Sequence, residues 1–280
     1  MKNFLRKTAL AVATVLALGA ASQTSQTSQA AQILYGVTGA SGSASSLYQI
    51  DATTGAATLI GATGFTHVVS IDIHPVTGVI YGISNSFGGT NALITIDATT
   101  GAGTFVANVG GDNWPDIAFD SSGTLYSWSE ASPDRLNTID LTTGATTEIG
   151  PNGLNTYQFG LGADSADTIY AKNGDGNVYT IDKITGAATF VVSLGSGGLD
   201  NALAFDENDV AFTLDRFGSE TSLLTLDLMT GAVTTIGATG IANLGAIAFS
   251  NAVSVSGPAV LMLFGLGLAG LGMMRRNPRA

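Results

Sequence analysis

Five times along this chain a strand pattern ending in a carboxylate runs into a Thr-Gly turn and straight out into a second strand pattern. The copies read YQIDATTGAATLIG from Tyr48, ITIDATTGAGTFVA from Ile94, NTIDLTTGATTEIG from Asn137, YTIDKITGAATFVV from Tyr179 and LTLDLMTGAVTTIG from Leu224. Their aspartates, Asp51, Asp97, Asp140, Asp182 and Asp227, follow one another at steps of 46, 43, 42 and 45 residues. A period in the forties made only of strand patterns is what propeller blades require, because one blade cannot bury its own faces and must stack on neighbours. The aspartates read as turn chemistry rather than as ligands. A carboxylate at a strand end accepts hydrogen bonds from turn amides, and the glycine permits a positive φ.

A second unit alternates with the hairpins. It reads VVSIDIHPVTGVIYGI from Val68, PDIAFDSSGTLYSW from Pro115, FGLGADSADTIYAK from Phe159 and NALAFDENDVAFTL from Asn201. Its first half stands alone at the far end as LGAIAFS from Leu244, and its second half stands alone at the near end as ILYGVT from Ile33. A ring accounts for both halves: the last strand, Gly245 to Ser250, completes the blade that Ile33 to Gly61 begins. Such closure removes the free sheet edges at which chains aggregate. The expectation is an all-β, five-bladed propeller over residues 33–250, with four strands, A to D, in each blade. The A strands carry the triplets Ser70-Ile71-Asp72, Asp116-Ile117-Ala118, Gly160-Leu161-Gly162, Ala202-Leu203-Ala204 and Ala246-Ile247-Ala248. Period-two alternation puts the aliphatic residue on one strand face, expected between blades, and the small residues on the other, expected around the axis.

Between the end segments stand only four basic residues, Arg135, Lys172, Lys183 and Arg216, against all 21 acidic ones. The repeat region therefore carries −17, where the whole chain carries −11. Such a surface repels nucleic acid and anionic headgroups and attracts cations, so a nucleic-acid partner is excluded. With no cysteine, the ring must hold by packing and backbone pairing alone.

The ends have a different composition. Residues 1–21 show a basic start (Lys2, Arg6, Lys7), an apolar run from Thr8 to Leu18 and small residues from Gly19 to Ala21. That is the layout of a secretory signal peptide, with cleavage expected after Ala21 or as late as Ala30. At the other end Val255-Ser256-Gly257-Pro258 precedes an apolar run from Ala259 to Met274, then Arg275, Arg276 and Arg279. The run is slightly short of the roughly 20 residues of a permanent span. Its arginines are expected to stay on the cytoplasmic side. The short motif, apolar helix and basic tail over 255–280 together resemble the PEP-CTERM sorting signal recognised by exosortases in Gram-negative bacteria. Pro258 matches that motif, and Gly257 stands where the family has glutamate. The resemblance implies transient inner-membrane anchoring, processing by an exosortase-like enzyme and delivery to the cell surface or extracellular matrix. A simple C-terminal membrane anchor is the alternative.

Loop length separates the two faces of the ring. The A–B and C–D connections are short and nearly constant, whereas the B–C and D–A connections vary, from KNGDGN to GVTGASGSASS. The variable set emerges on one face, and loops carried by a rigid scaffold are where binding usually resides. That face is expected to display Trp114, Trp128, Arg135, Tyr157 and Arg216 as a ligand-binding set, with Asp112, Asp175, Asp200, Asp215 and Glu220 around them. The only two tryptophans belong to one blade's mouth. An aromatic platform beside acids and Arg135 suits stacking on sugar rings; the plainer alternative has each tryptophan covering the end of an inter-blade core. Glu130 and Asp134 are the carboxylates available to a polysaccharide hydrolase or lyase. Asp72 and Asp116, one pleat apart in neighbouring A strands, form a candidate Ca²⁺ pair, with plain water-facing carboxylates as the alternative. The segment Asn173-Gly174-Asp175-Gly176-Asn177 lacks the closing acid of a calcium loop and reads as a glycine hairpin. Of the two histidines, His67 and His74, the second occupies the A–B turn position that Asp120 holds in the next blade. No nucleophile elbow, phosphate loop or histidine-rich metal set occurs.

The repeat region also resembles an uncharacterised family of bacterial exported propellers whose blades pair an LAFD–LYG unit with an ID-x-x-TG-A hairpin. That resemblance implies an extracellular or surface-attached scaffold within exopolysaccharide and carries no established reaction. The expected function is non-enzymatic binding of glycans or surface proteins through the variable loop face. A polysaccharide hydrolase or lyase acting there is the alternative.

Overall fold

The computed structural model describes residues 32–39, 42–85, 91–110, 114–130, 133–154, 159–174, 176–195, 202–216 and 219–250. Every regular element among them is a strand. Blade 1 contributes β1 (Leu34–Thr38), β2 (Ala44–Ile50) and β3 (Ala57–Thr66), and blade 2 contributes β4 (Val68–Ile73), β5 (Ile80–Ser84), β6 (Asn91–Ile96) and β7 (Gly103–Val109). Blade 3 follows with β8 (Ile117–Phe119), β9 (Leu125–Ser129), β10 (Arg135–Ile139) and β11 (Thr146–Pro151). Blade 4 has β12 (Phe159–Ala163), β13 (Ile169–Asn173), β14 (Asn177–Ile181) and β15 (Ala188–Ser193). Blade 5 has β16 (Ala204–Phe205), β17 (Ala211–Asp215), β18 (Ser222–Leu226) and β19 (Val233–Ala238), and β20 (Leu244–Phe249) ends the array. Four sheets follow chain order as antiparallel meanders; the remaining one runs β20-β1-β2-β3. This is the expected five-bladed β-propeller, closed by strands from both ends.

Local turn chemistry builds each blade. In the β2–β3 hairpin Asp51 Oδ1 accepts from Thr53 N (2.8 Å), Thr53 Oγ1 (2.6 Å) and Thr54 N (3.1 Å), while Gly55 N donates to Asp51 O (2.7 Å). Asp97, Asp140, Asp182 and Asp227 repeat the pattern with the amides two and three positions on. These donors hold all five exposed carboxyls below their ordinary range, led by the Thr53 hydroxyl at Asp51 and the Thr100 amide at Asp97. The turn glycine has a second reason to be there. A side chain on Gly101 (φ +77°) would come within 2.6 Å of Gly61 O on the outer strand of the preceding blade. Gly55 meets Gly237 in the same way, and Gly186 meets Gly150, so each of these hairpin tips is also a backbone contact between blades. Beyond the tip the C–D pairing shifts register at the same place in every blade, as between Leu47 and Tyr48 or Leu93 and Ile94, and blade 1 shifts again between Ala44 and Ser46. Such bulges strengthen the twist of the outer strand.

Five apolar clusters, one at each blade–blade interface, make up the core. They correct the expected orientation of the A strands. The aliphatic residue does pack between blades, Ile71 against blade 1 and Ile117 against blade 2. The small residues, however, pack on the following blade: Ala118 joins the cluster with Leu161, and Ala202 and Ala204 join the one with Leu34. Blades stand radially, so a strand offers both its faces to neighbours and only its edge to the axis. Small residues are needed because the next blade's aliphatic side chain fills that space.

Ring closure uses β20 against β1, with register Leu34↔Phe249, Tyr35↔Ala248, Gly36↔Ile247 and Val37↔Ala246. Ser250 N donates to Ile33 O and Ile33 N donates to Ser250 Oγ, both at 2.8 Å. The expected signal peptide and the sorting segment, with Pro258, Arg275 and Arg276, lie outside the described residues. Among the described residues no helix is long and apolar enough to cross a membrane.

Candidate functional site

At the variable face, hydroxyl side chains pin the points where loops leave the scaffold. In blade 1 Thr63 Oγ1 donates to Ser45 O (2.9 Å) and Ser45 Oγ accepts from Val68 N (2.9 Å). In blade 5 Thr239 Oγ1 donates to Thr221 O (2.7 Å) and Thr221 Oγ1 accepts from Leu244 N (3.1 Å). All four residues are at most 2% exposed. A buried polar group left without its partner costs roughly 1–3 kcal/mol, so these bonds hold the loop roots firmly. Both pairs are 18 residues apart. That spacing is a readable signal, hidden because serine and threonine alternate at the first position.

The same root in blade 3 is occupied by Asp134 and Asn152, where Asn152 N donates to Asp134 O (3.0 Å). Asp134 is 2% exposed. Its backbone anchors the loop and its side chain is buried, while Glu130 is half-buried. His67 bridges blades 1 and 2 at φ +51°, with Nδ1 3.0 Å from Asn85 O. Burial, with the charge of Arg216 acting in the same direction, holds its imidazole below the ordinary histidine range.

Among the described residues, the expected ligand set is not gathered into one site. Trp114 and Trp128 are 1% and 0% exposed. Trp114 packs with Ile83, Leu93 and Val109 between blades 2 and 3, its Nε1 donating to Gly110 O at 3.2 Å. Trp128 packs with Leu136 and Leu161 between blades 3 and 4. Neither ring is presented for stacking; each is buried within an inter-blade cluster. Arg135 Nη1 donates to Glu148 Oε2 (2.8 Å), an exposed ion pair reaching toward the outer strand of blade 3. Arg216 instead lies close to Gly245 on the innermost strand of blade 1. Tyr157, Asp112, Asp175 and Asp200 lie outside the described residues. The glycine hairpin after β13 takes shape with Gly176 at φ +83° and Asn177 N donating to Asn173 Oδ1 (3.0 Å).

Asp72 and Asp116 do not pool their oxygens for a cation. Asp116 is 3% exposed; it accepts from Ser70 Oγ (2.6 Å) and Ile117 N (2.9 Å) at Oδ1 and from Leu161 N of blade 4 (2.8 Å) at Oδ2. Asp72 accepts from Ile73 N (2.7 Å) and, across to blade 3, from Phe119 N (2.6 Å). The pair staples blades 2, 3 and 4 near the axis. Among the described residues no three acidic, histidine or cysteine side chains cluster to hold a metal. Burial pushes the Asp72 carboxyl up to about 7 and Asp116 well above the carboxylate range.

These buried carboxyls make the fold lose stability as pH rises from acid to neutral. Unfolded aspartate ionises near pH 4, so between about pH 4 and 7 unfolding releases the proton that folded Asp72 keeps. Stability is therefore lost as pH rises through that window, by about 1.4 kcal/mol for each pH unit crossed. The hairpin aspartates, shifted down, lose their contribution only as pH falls below about 4. The melting midpoint is expected to be several degrees higher at pH 5 than at pH 8, and Asp72→Asn to shrink that gap. A midpoint that rises from pH 5 to pH 8 in thermal melts would contradict the buried-carboxyl account.

The sequence matches no protein-family model and no curated protein. Solved structures do share its architecture. A chain of the nidogen/laminin complex is similar at a TM-score of 0.55 and 14% identity, over 80% of this chain and 99% of that one. A structural genomics protein of unknown function from Bacteroides thetaiotaomicron VPI-5482 is similar at a TM-score of 0.52 and 16% identity, over 74% of this chain. This chain spans 58% of that protein's length. At such identities the likeness is one of fold.

Proposed function

We propose that this protein is an exported, surface- or matrix-attached propeller that binds protein or glycan partners through its variable loop face without catalysing a reaction. The observation that carries this reading is the pinned loop roots, Thr63–Ser45 and Thr239–Thr221, which hold irregular connections on a rigid ring. Pre-ordered loops bind with less entropy loss than free ones. Burial of both tryptophans moves the balance from sugar stacking toward protein partners. The similar chain of the nidogen/laminin complex belongs to an assembly of two proteins, which supports a partner-binding role for such a ring.

Photo-crosslinking separates the faces. A crosslinker placed at exposed Glu220, on the loop face, is expected to capture partners from intact cells, and one at Met229, on a hairpin tip, is not. Adducts from position 229 alone would overturn the assignment. Reducing-sugar release by the full-length protein, abolished by Glu130→Gln, would favour the hydrolase alternative. Export and sorting rest on the end segments. The mature protein outside the cell is expected to lack Arg275, Arg276 and Arg279, which intact-mass measurement reads directly.

A further inference from the structure

We propose that the axial cavity on the tight-turn side, opposite the loop face, is a second binding site and that it takes a small primary alkylammonium ion. The cavity has a volume of about 260 Å³ and is lined by the second half of every A strand and by the A–B turns that follow. Its lining includes one aliphatic side chain from each blade: Ile71, Ile117, Leu161, Leu203 and Ile247. Each packs mainly between blades and is at most 3% exposed, so only its inner edge borders the cavity. Asp72 also forms part of the lining, and Asp164 and Asp206 stand in the turns around the opening.

Among the acids at this well, Asp164 and Asp206 have no lysine or arginine partner among the described residues. Lys183 reaches Asp120 at 3.4 Å. The turn amides take Oδ1 of Asp164 (Ala166 N, Thr168 N) and of Asp206 (Asn208 N, Val210 N). They supply donors but no countercharge. Aliphatic edges beside uncompensated carboxylates complement a cation on a short hydrocarbon stem: the stem lies against the edges and the ammonium among the acids. Burial of the stem and the charge attraction act together there. A bare metal ion lacks a ligand set among the described residues, and an anion is repelled. The volume, just below the roughly 300 Å³ at which small-molecule pockets begin, suits a four-carbon amine and is too small for an oligosaccharide.

The test is calorimetric titration of the full-length protein with n-butylammonium chloride, beside ammonium chloride and butan-1-ol. Butylammonium is expected to bind at least tenfold more tightly than either comparator. Asp164→Asn with Asp206→Asn retains the Oδ1 acceptors of both turns while removing two charges. This double variant should keep the wild-type melting midpoint and bind at least fivefold more weakly. Asp227→Asn, on an exposed hairpin, should bind as wild type. Absence of saturable heat, equal affinity for butan-1-ol, or an unaffected double variant overturns the proposal. Because crosslinking at Glu220 reports on the other face, this site and the loop-face reading fail independently.

Discussion

A chain ending at residue 243 is expected to yield no cooperatively folding monomer, whereas one ending at Ser250 should melt as the complete propeller does. The shorter chain loses β20 and with it the inner edge of blade 1. Leu244 and Ile247 leave the cluster shared with blade 5, and Ala246 and Ala248 leave the one shared with blade 2. Two interfaces open at once, and β1 is left as an unpaired inner edge. Burying one leucine or isoleucine side chain contributes about 1.5–3 kcal/mol, against a total stability of about 5–15 kcal/mol for a domain. Losing two such residues, two alanines and a five-rung ladder consumes most of that margin. Urea unfolding followed by near-ultraviolet dichroism, with size-exclusion chromatography, reads the outcome. A sharp transition at the unshortened midpoint would show that the seam does not hold the ring.

The second large effect concerns Trp128. Trp128→Ala should destabilise the fold by about 3–5 kcal/mol, the usual cost of emptying a buried aromatic site. In a domain of this size that lowers the melting midpoint by about 10 °C. The cavity would lie between Leu136 of blade 3 and Leu161 of blade 4, neither of which can move far while anchored in its own sheet. Trp128→Phe should recover most of the loss. Partner binding by the folded fraction should remain as in wild type. If instead the midpoint holds while binding disappears, the tryptophan belongs to a ligand platform after all.

The contrast between these residues shows where sequence reasoning succeeds. Asp51 to Gly55 carries its own turn chemistry within five residues, so hairpins and their period are legible, and two half-units reveal the seam. Alternation also says that Ile117 and Ala118 point to opposite faces, but not which neighbour each face meets. For that reason the sequence alone points the small residues at the axis and the tryptophans at the mouth. Asp134 reads as an available acid because only the 18-residue offset to Asn152, shared with Ser45 and Thr221, marks it as a loop root. Latches between turns are hidden for a similar reason. Asp167 (φ +63°) accepts from Ser121 N and Oγ, and Asp209 (φ +59°) from Ser165 N and Oγ, one blade apart. They stand where blades 2 and 3 have Gly78 and Gly123, also at positive φ, so the signal is an aspartate in a glycine's place. The alkylammonium well needs all five A strands at once, and no single segment foretells it.

The adjacency of Ile33 and Ser250 gives the ring a mechanical polarity. Because β20 runs from the loop side to the turn side, a load carried from a partner on the loops to a tether beyond Ser250 acts along that strand. It shears the β1–β20 rungs together, the geometry in which hydrogen-bonded strands resist most. A load applied between the two chain ends instead peels the same rungs one at a time, starting at Ile33. The seam is strong against a load drawn along β20 from the loop face, and weak when its own ends are drawn apart.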